Sequence, residues 1–181
     1  MKDKQLQTER LLLRLVSLAD LGNVHALHCL PETDEFNTLG IPQNTSETKA
    51  IIKIWMAEHK QPVNPAYIFV VELKDSNTFT GIIGIRPGKP KYRNAEVWFK
   101  FHRDFWNKGY ATEALKKLID FGFSEMKLHR IEAGCATGNT GSYKVMEKAG
   151  MQREAHTRQL LPLKSGWSDH YGYAILSTDN R

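Results

Sequence analysis

Three strand-like runs in a row, followed by a glycine turn that opens a helix, constrain this chain more than any other feature. Tyr67-Ile68-Phe69-Val70-Val71-Glu72-Leu73 is rich in β-branched and aromatic residues. Asp75-Ser76-Asn77-Thr78 carries turn chemistry, Phe79 to Ile85 reads as a returning strand, and Arg93 to Phe101 as a third. These runs predict an antiparallel meander. Trp106 to Ala111 then forms a short turn around Gly109, and Ala111 to Met126 carries a helical stripe of Ala111, Ala114, Leu115, Leu118 and Gly122. Arg130 to Thr137 returns as a strand. A meander running into strand–helix–strand requires a mixed sheet with helices packed on it.

The flanks extend this pattern. Leu11-Leu12-Leu13-Arg14-Leu15 predicts a first strand after a polar lead-in. Ser17 and Asp20 signal a helix start, with Leu21, Val24, Leu27 and His28 at helical spacing and Pro31 ending it. A loop spans Glu32 to Asn44. Thr45-Ser46-Glu47 then caps a second helix whose face holds Ile51, Ile52, Trp55 and Met56. Asn139 to Ala149 predicts a last helix, ended by Gly150. Met151 to Leu163 and Trp167 to Leu176 predict a long hairpin around Lys164-Ser165-Gly166. The order β-α-α-β-β-β-α-β-α-β-β describes an α/β protein, with a mixed, mostly antiparallel sheet of about seven strands and about four helices. Short connections predict one domain over residues 1–181.

Composition removes whole classes. Lys plus Arg number 25 and Asp plus Glu 20, a formal charge of +5, short of the dense cationic surface of a nucleic-acid binder. No apolar run is long enough for a transmembrane helix, and the polar start Met1 to Gln5 predicts no signal peptide. Cys29 and Cys135 stand far apart without a CxxC partner, which fits a reducing cytoplasm and argues against a disulfide scaffold or zinc site. The seven histidines, His170 among them, show no ligand spacing and read as scattered structural or surface residues. No metal is expected.

The segment Phe105 to Ala114 carries the chemistry. Gly109 lets the backbone turn tightly and approach a ligand. The helix start behind it leaves N–H groups unpaired, with partial positive charge, so the turn is an anion cradle suited to a pyrophosphate. Lys108 adds charge. Neither GxxxxGK[ST] nor GxGxxG is present.

This segment resembles motif A of the GNAT superfamily of acetyltransferases, with Trp106, Gly109 and Ala111 in its three defined positions. Trp106-Asn107-Lys108-Gly109-Tyr110-Ala111-Thr112-Glu113-Ala114 is similar to the branch containing the ribosomal-protein alanine N-acetyltransferases, with Asn107 replacing a glycine. Further matches follow in order: Thr8 to Arg14, His129 to Ala133, Asn139-x-x-Ser142, Glu147 to Met151, and Gly166-Trp167-x-Asp169 before Tyr171. The resemblance covers residues 8–176. It implies the GNAT fold and acetyl transfer from acetyl-CoA to an amine. It puts the CoA pyrophosphate on the turn, with Trp106, Asn107, Lys108, Gly109, Tyr110, Ala111 and Thr112 as binding residues. It puts the pantetheine arm against the backbone around Phe101.

It also nominates catalytic groups. Glu96 falls where similar proteins carry an acidic base for the acceptor ammonium. Asn139 is an N-cap that would approach the pantetheine arm, and Ser142 would face the departing sulfur. The tyrosine acid many relatives use is absent, because its position here is Met146. Ser142 is therefore the candidate proton donor, and adjacent Tyr143 should point elsewhere. Asp169 and Tyr171 are expected at the acceptor end. The acceptor would be a protein N-terminus or a small amine, drawn by an acidic loop of Glu32, Asp34 and Glu35. A non-catalytic acyl-CoA-binding module is the alternative, and a homodimer is left open.

Overall fold

The computed structural model describes residues 4–38 and 40–179. Met1, Lys2 and Asp3 of the polar start, Leu39 of the predicted loop, and the last two residues lie outside them. Eight strands form one sheet in the order β1-β2-β3-β4-β5-β6-β8-β7. They are β1 (Gln5–Gln7), β2 (Leu11–Leu15), β3 (Tyr67–Leu73), β4 (Phe79–Pro87), β5 (Asn94–Phe101), β6 (Arg130–Ala136), β7 (Gln152–Leu163) and β8 (Gly166–Leu176). Among the described residues five α-helices accompany them: α1 (Leu21–Cys29), α2 (Pro31–Asp34), α3 (Thr45–Glu58), α4 (Tyr110–Ser124) and α5 (Thr140–Lys148).

The α/β reading holds, with two additions. The lead-in contains β1, which lacks an apolar run because only Leu6 turns inward, where it is 5% exposed. The predicted loop opens with the single turn α2, started by Pro31 at its first position. Two starts also move. Asn44, not Thr45 to Glu47, caps α3, its Oδ1 accepting from the Ser46 and Glu47 N–H groups. Arg93 precedes β5, in a left-handed conformation with φ of 48°.

Both faces of the sheet are covered, which explains the unbroken apolar run of β3. Phe69 and Val71 face a core made with Leu115, Leu118 and Phe121 of α4. Ile68 and Val70 face a second core with Val24 and Leu27 of α1 and Ile52 and Trp55 of α3. The fully buried side chains on each face are worth about 1.5–3 kcal/mol apiece.

One pairing breaks the antiparallel rule. β5 and β6 run parallel and pair only through Asn94–Arg130, Ala95–Ile131 and Glu96–Glu132. Beyond those rungs β5 continues to Phe101 beside β4, and β6 continues to Ala136 beside β8. The two strands therefore diverge, leaving a wedge in the middle of the sheet.

Candidate active site

The wedge is edged by backbone. The His102 N–H donates to the Thr80 carbonyl at 2.8 Å, so His102 points its polar groups at β4. Alternation along an antiparallel ladder then turns those of Phe101 and Phe99 the other way, toward β6. The Trp106 indole N–H donates to the Phe101 carbonyl at 2.8 Å. Trp106 thus latches the glycine turn to the end of β5. The Phe101 carbonyl is held by this latch, and its N–H faces the wedge.

The turn itself is a concavity of N–H groups. Asn107 has φ of 59° and Gly109 φ of 81°, on either side of Lys108. Alternating handedness of this kind points successive N–H groups inward. Asn tolerates the left-handed region better than other residues with a Cβ, so it replaces glycine at 107 at small cost. Helix α4 starts with the Glu113 N–H donating to the Gly109 carbonyl at 3.0 Å, so the N–H groups of Tyr110, Ala111 and Thr112 have no partner within the helix. The donors suit a pyrophosphate.

A clamp missed at the sequence level fixes this turn. Arg10, at the end of the β1–β2 connection, donates to Lys108 and Glu113 and lies 4.6 Å from the centre of the Tyr110 ring. Glu113 also accepts from the Thr8 hydroxyl at 2.5 Å and the Arg10 N–H at 3.0 Å. Burial opposes ionisation of Glu113, but these hydrogen bonds outweigh it and hold the carboxyl below the usual range. The sequence signal was the Arg10–Glu113 charge pair, invisible across a separation of 103 residues.

Of the catalytic candidates, Glu96 and Ser142 come from opposite sides. Glu96, Trp98 and Lys100 alternate away from the α4 core and face α1 and α3. Glu96 is exposed beside the last rung, where the wedge opens. Ser142 lies half-buried in the first turn of α5, its N–H donating to Asn139 Oδ1 at 3.1 Å. Asn139 is therefore the cap the sequence anticipates. Tyr143 packs against Tyr171, ring centres 6.1 Å apart, and Met146 is 1% exposed in the core. Glu147 accepts from the Tyr173 hydroxyl at 2.8 Å; burial and that bond push the Tyr173 hydroxyl up to about 12. Burial also pushes Cys135 up to about 11, leaving its thiol protonated.

The wall facing α1 is aromatic. The Trp98 indole lies over Gly84, where an added Cβ would meet Trp98 Cε2 at 2.6 Å, and tilts against Trp55 at 5.6 Å. Lys100 and His28 are both pushed down by burial, His28 to about 4 with help from Lys100 and His25.

Three expectations change. Glu32 is paired with Arg103, and Asp34 is buried and paired with Lys164, so the loop is not a free row of carboxylates. Asp169 faces the opposite side and braces the β7 bulge, accepting from His156 at 2.7 Å and the Gln159 N–H at 2.9 Å. Tyr171 joins the α5 core rather than an acceptor wall. Among the described residues, no cluster of three or more His, Cys, Asp or Glu side chains could hold a metal. No helix among them is long and apolar enough to cross a membrane.

Comparison with known proteins agrees with this geometry. Residues 10–152 match the acetyltransferase (GNAT) domain family. The chain is 34% identical over 178 residues to the uncharacterized N-acetyltransferase YnaD of Bacillus subtilis, covering 95% of this chain and 96% of that one. It superposes with a TM-score of 0.86 on the crystal structure of a GNAT-family acetyltransferase from Bacillus anthracis, at 32% identity, covering 97% of this chain and 100% of that one. The fold is also that of RimL, a ribosomal L7/L12 α-N-protein acetyltransferase solved in complex with coenzyme A, with a TM-score of 0.86 at 16% identity, covering 96% and 98% of the two chains. The chain belongs to the GNAT superfamily and is an acetyl-CoA-dependent N-acetyltransferase.

Proposed function

We propose that the chain transfers the acetyl group of acetyl-CoA directly to a primary amine in a ternary complex, and that the amine is a protein N-terminus. One observation carries the reading: beyond its three rungs with β6 the edge of β5 runs free to Phe101, where the Trp106 latch holds the N–H cradle of residues 107–112. A long anionic cofactor fits that path, its pyrophosphate on the turn and its arm along the free edge of β5. The cosubstrate supplies an activated thioester. The residues of the chain do the rest. The cradle anchors the pyrophosphate, the Phe99 and Phe101 N–H groups hold the arm, and Asn139 caps α5 beside it.

Glu96 takes the proton that makes the amine nucleophilic, a role worth roughly 10²–10⁴-fold. Ser142 donates to the departing thiolate. The protein-terminus reading is supported by the resemblance of residues 106–114 to the ribosomal-protein branch and by the shared fold with RimL. A small amine such as a polyamine is the alternative acceptor. The two free cysteines support a reducing, cytoplasmic setting.

A free-thiol assay with acetyl-CoA tests this against peptides with free N-termini, spermidine and an aminoglycoside, followed by mass spectrometry of the product. Acetylation of a peptide's α-amine supports the reading. Transfer to spermidine alone moves the acceptor to the small-amine class, and CoA binding without any transfer reduces the chain to a binding module.

A further inference from the structure

His170 sits in a seat built for its ring. It lies on β8, opposite Ala136 of the diverging part of β6. Its imidazole lies flat across two register-paired glycines, Gly134 and Gly172. A Cβ at Gly134 would overlap Nε2 and come within 2.7 Å of Cε1; one at Gly172 would come within 3.9 Å of Cε1. Any other residue at 134 would lift the ring off the sheet. His170 alternates with Tyr171 and Tyr173 of the α4/α5 core, so it shares the opposite face with Glu96. Neither ring nitrogen has a hydrogen-bond partner among the described residues. The imidazole is half-buried, so water reaches it.

We propose that His170 is a second proton acceptor for the incoming amine, facing it across the wedge from Glu96. This rests on the acetyl-transfer reading and gives that reaction a residue the sequence patterns dismiss. The proton count favours two acceptors. The amine enters as an ammonium and leaves as an amide, so its nitrogen loses two protons. The first goes to a base, freeing the lone pair that bonds to the thioester carbonyl carbon. The carbon–sulfur bond breaks with its electron pair on sulfur. The second nitrogen proton then leaves, one proton ends on the thiol, and one remains for solvent. With two acceptors each takes one of the two protons, whereas Glu96 alone must be emptied between steps; an imidazole open to water passes its proton on.

The electrostatic surroundings suit the role. Burial lowers the His170 pKa, keeping the ring neutral and ready to accept, while Glu96 pulls the other way. Three nearby carboxylates are engaged elsewhere: Glu132 and Glu154 with Arg130, and Asp34 with Lys164.

The test compares wild type, His170→Gln and Gly134→Ala in acetyl-CoA turnover across pH, with whichever of a free-N-terminus peptide or spermidine the wild type acetylates. CoA affinity by calorimetry serves as the folding control. His170→Gln keeps the size and polarity of the ring but cannot take a proton. We expect it to lose about 10-fold or more in kcat, to move the acidic limb of the kcat/KM profile, and to leave CoA affinity unchanged. Gly134→Ala should reproduce part of that loss. Wild-type turnover and an unmoved acidic limb in His170→Gln overturn this inference alone; no transfer by the wild type overturns the reading beneath it. An independent readout is the His170 ring titration by NMR: Glu96→Gln should shift its midpoint down, and an unchanged midpoint removes the pairing.

Discussion

Arg10 Nη1 donates to the Lys108 carbonyl oxygen at 3.1 Å. That bond joins the start of the sheet to the centre of the cradle and turns the carbonyl outward, so the neighbouring N–H groups face inward. With Nε on Glu113 at 2.7 Å, one guanidinium locks both ends of the Lys108–Glu113 turn. Arg10→Ala should weaken CoA binding several-fold with little change in thermal midpoint, because the Arg10 side chain is 45% exposed and such ion pairs contribute about 1 kcal/mol or less. Calorimetry against CoA and a melting curve separate the two effects.

Gly109 should be the least replaceable residue of the turn. Its φ of 81° disfavours any Cβ by about 1–2 kcal/mol, and the added atom would sit 3.3 Å from Arg10 Nη2. Gly109→Val is expected to raise the CoA Kd about tenfold or more, while Asn107→Gly stays within about threefold of wild type. Equal affinities for Gly109→Val and wild type would count against the cradle.

Glu96→Gln should lower kcat about 100-fold near neutral pH while CoA affinity stays constant. Ser142→Ala should cost less, since a thiolate leaves without full protonation. A Glu96→Gln enzyme with wild-type kcat would remove the base.

Stability should fall on the acid side of neutrality. Burial pushes His59 down to about 4, with Glu58 pulling the other way, and the Ile68 N–H donates to His59 Nε2 at 3.0 Å. Protonation destroys that acceptor. The unfolded chain takes up the proton near pH 6.5 and the folded chain only near 4, so stability is full above pH 6.5 and declines as pH falls toward 4. His28 adds to the same window. His59→Gln, which keeps an acceptor without titrating, should flatten the slope of urea midpoint against pH between those values.

Arg14 holds two carboxylates at once. It donates to both oxygens of Asp20, at 2.9 and 2.6 Å, and to both oxygens of Glu72, at 3.0 and 2.5 Å. Asp20 is 2% exposed, and although burial opposes its ionisation, Arg14 and Ser17 keep its carboxyl below the usual range. Arg14→Met strands these charges and should destabilise the fold by about 3–5 kcal/mol in urea unfolding. Arg14→Lys should recover only part, lacking the fork. Glu58→Gln, which breaks the exposed Arg86 pair, should cost under about 1 kcal/mol.

Local patterning was enough to identify most elements, because period and punctuation are read within a few residues. The meander from Tyr67 to Phe101, the stripe of α4, the Asn139 cap and the turn around Gly109 all depend on such near neighbours. β1 escaped because a three-residue strand with one buried side chain has no period to read. The cap of α3 shifted to Asn44 because Asn, Thr and Ser all satisfy the same N–H groups, and the backbone decides which of them stays extended.

What the sequence determined by itself was the class of sheet, the helix that follows the turn, and the unpaired N–H groups at that helix's start. Those properties follow from local sterics and hydrogen-bond supply. The tertiary structure alone decided where β5 leaves β6, that Arg10 clamps the cradle from about a hundred residues away, that Arg103 and Lys164 neutralise the acidic loop, and that His170 lies across Gly134 and Gly172. Each of these is a meeting of distant segments. A strand's register, and so which side chains share a face at the wedge, is set only when the whole sheet closes on its two cores.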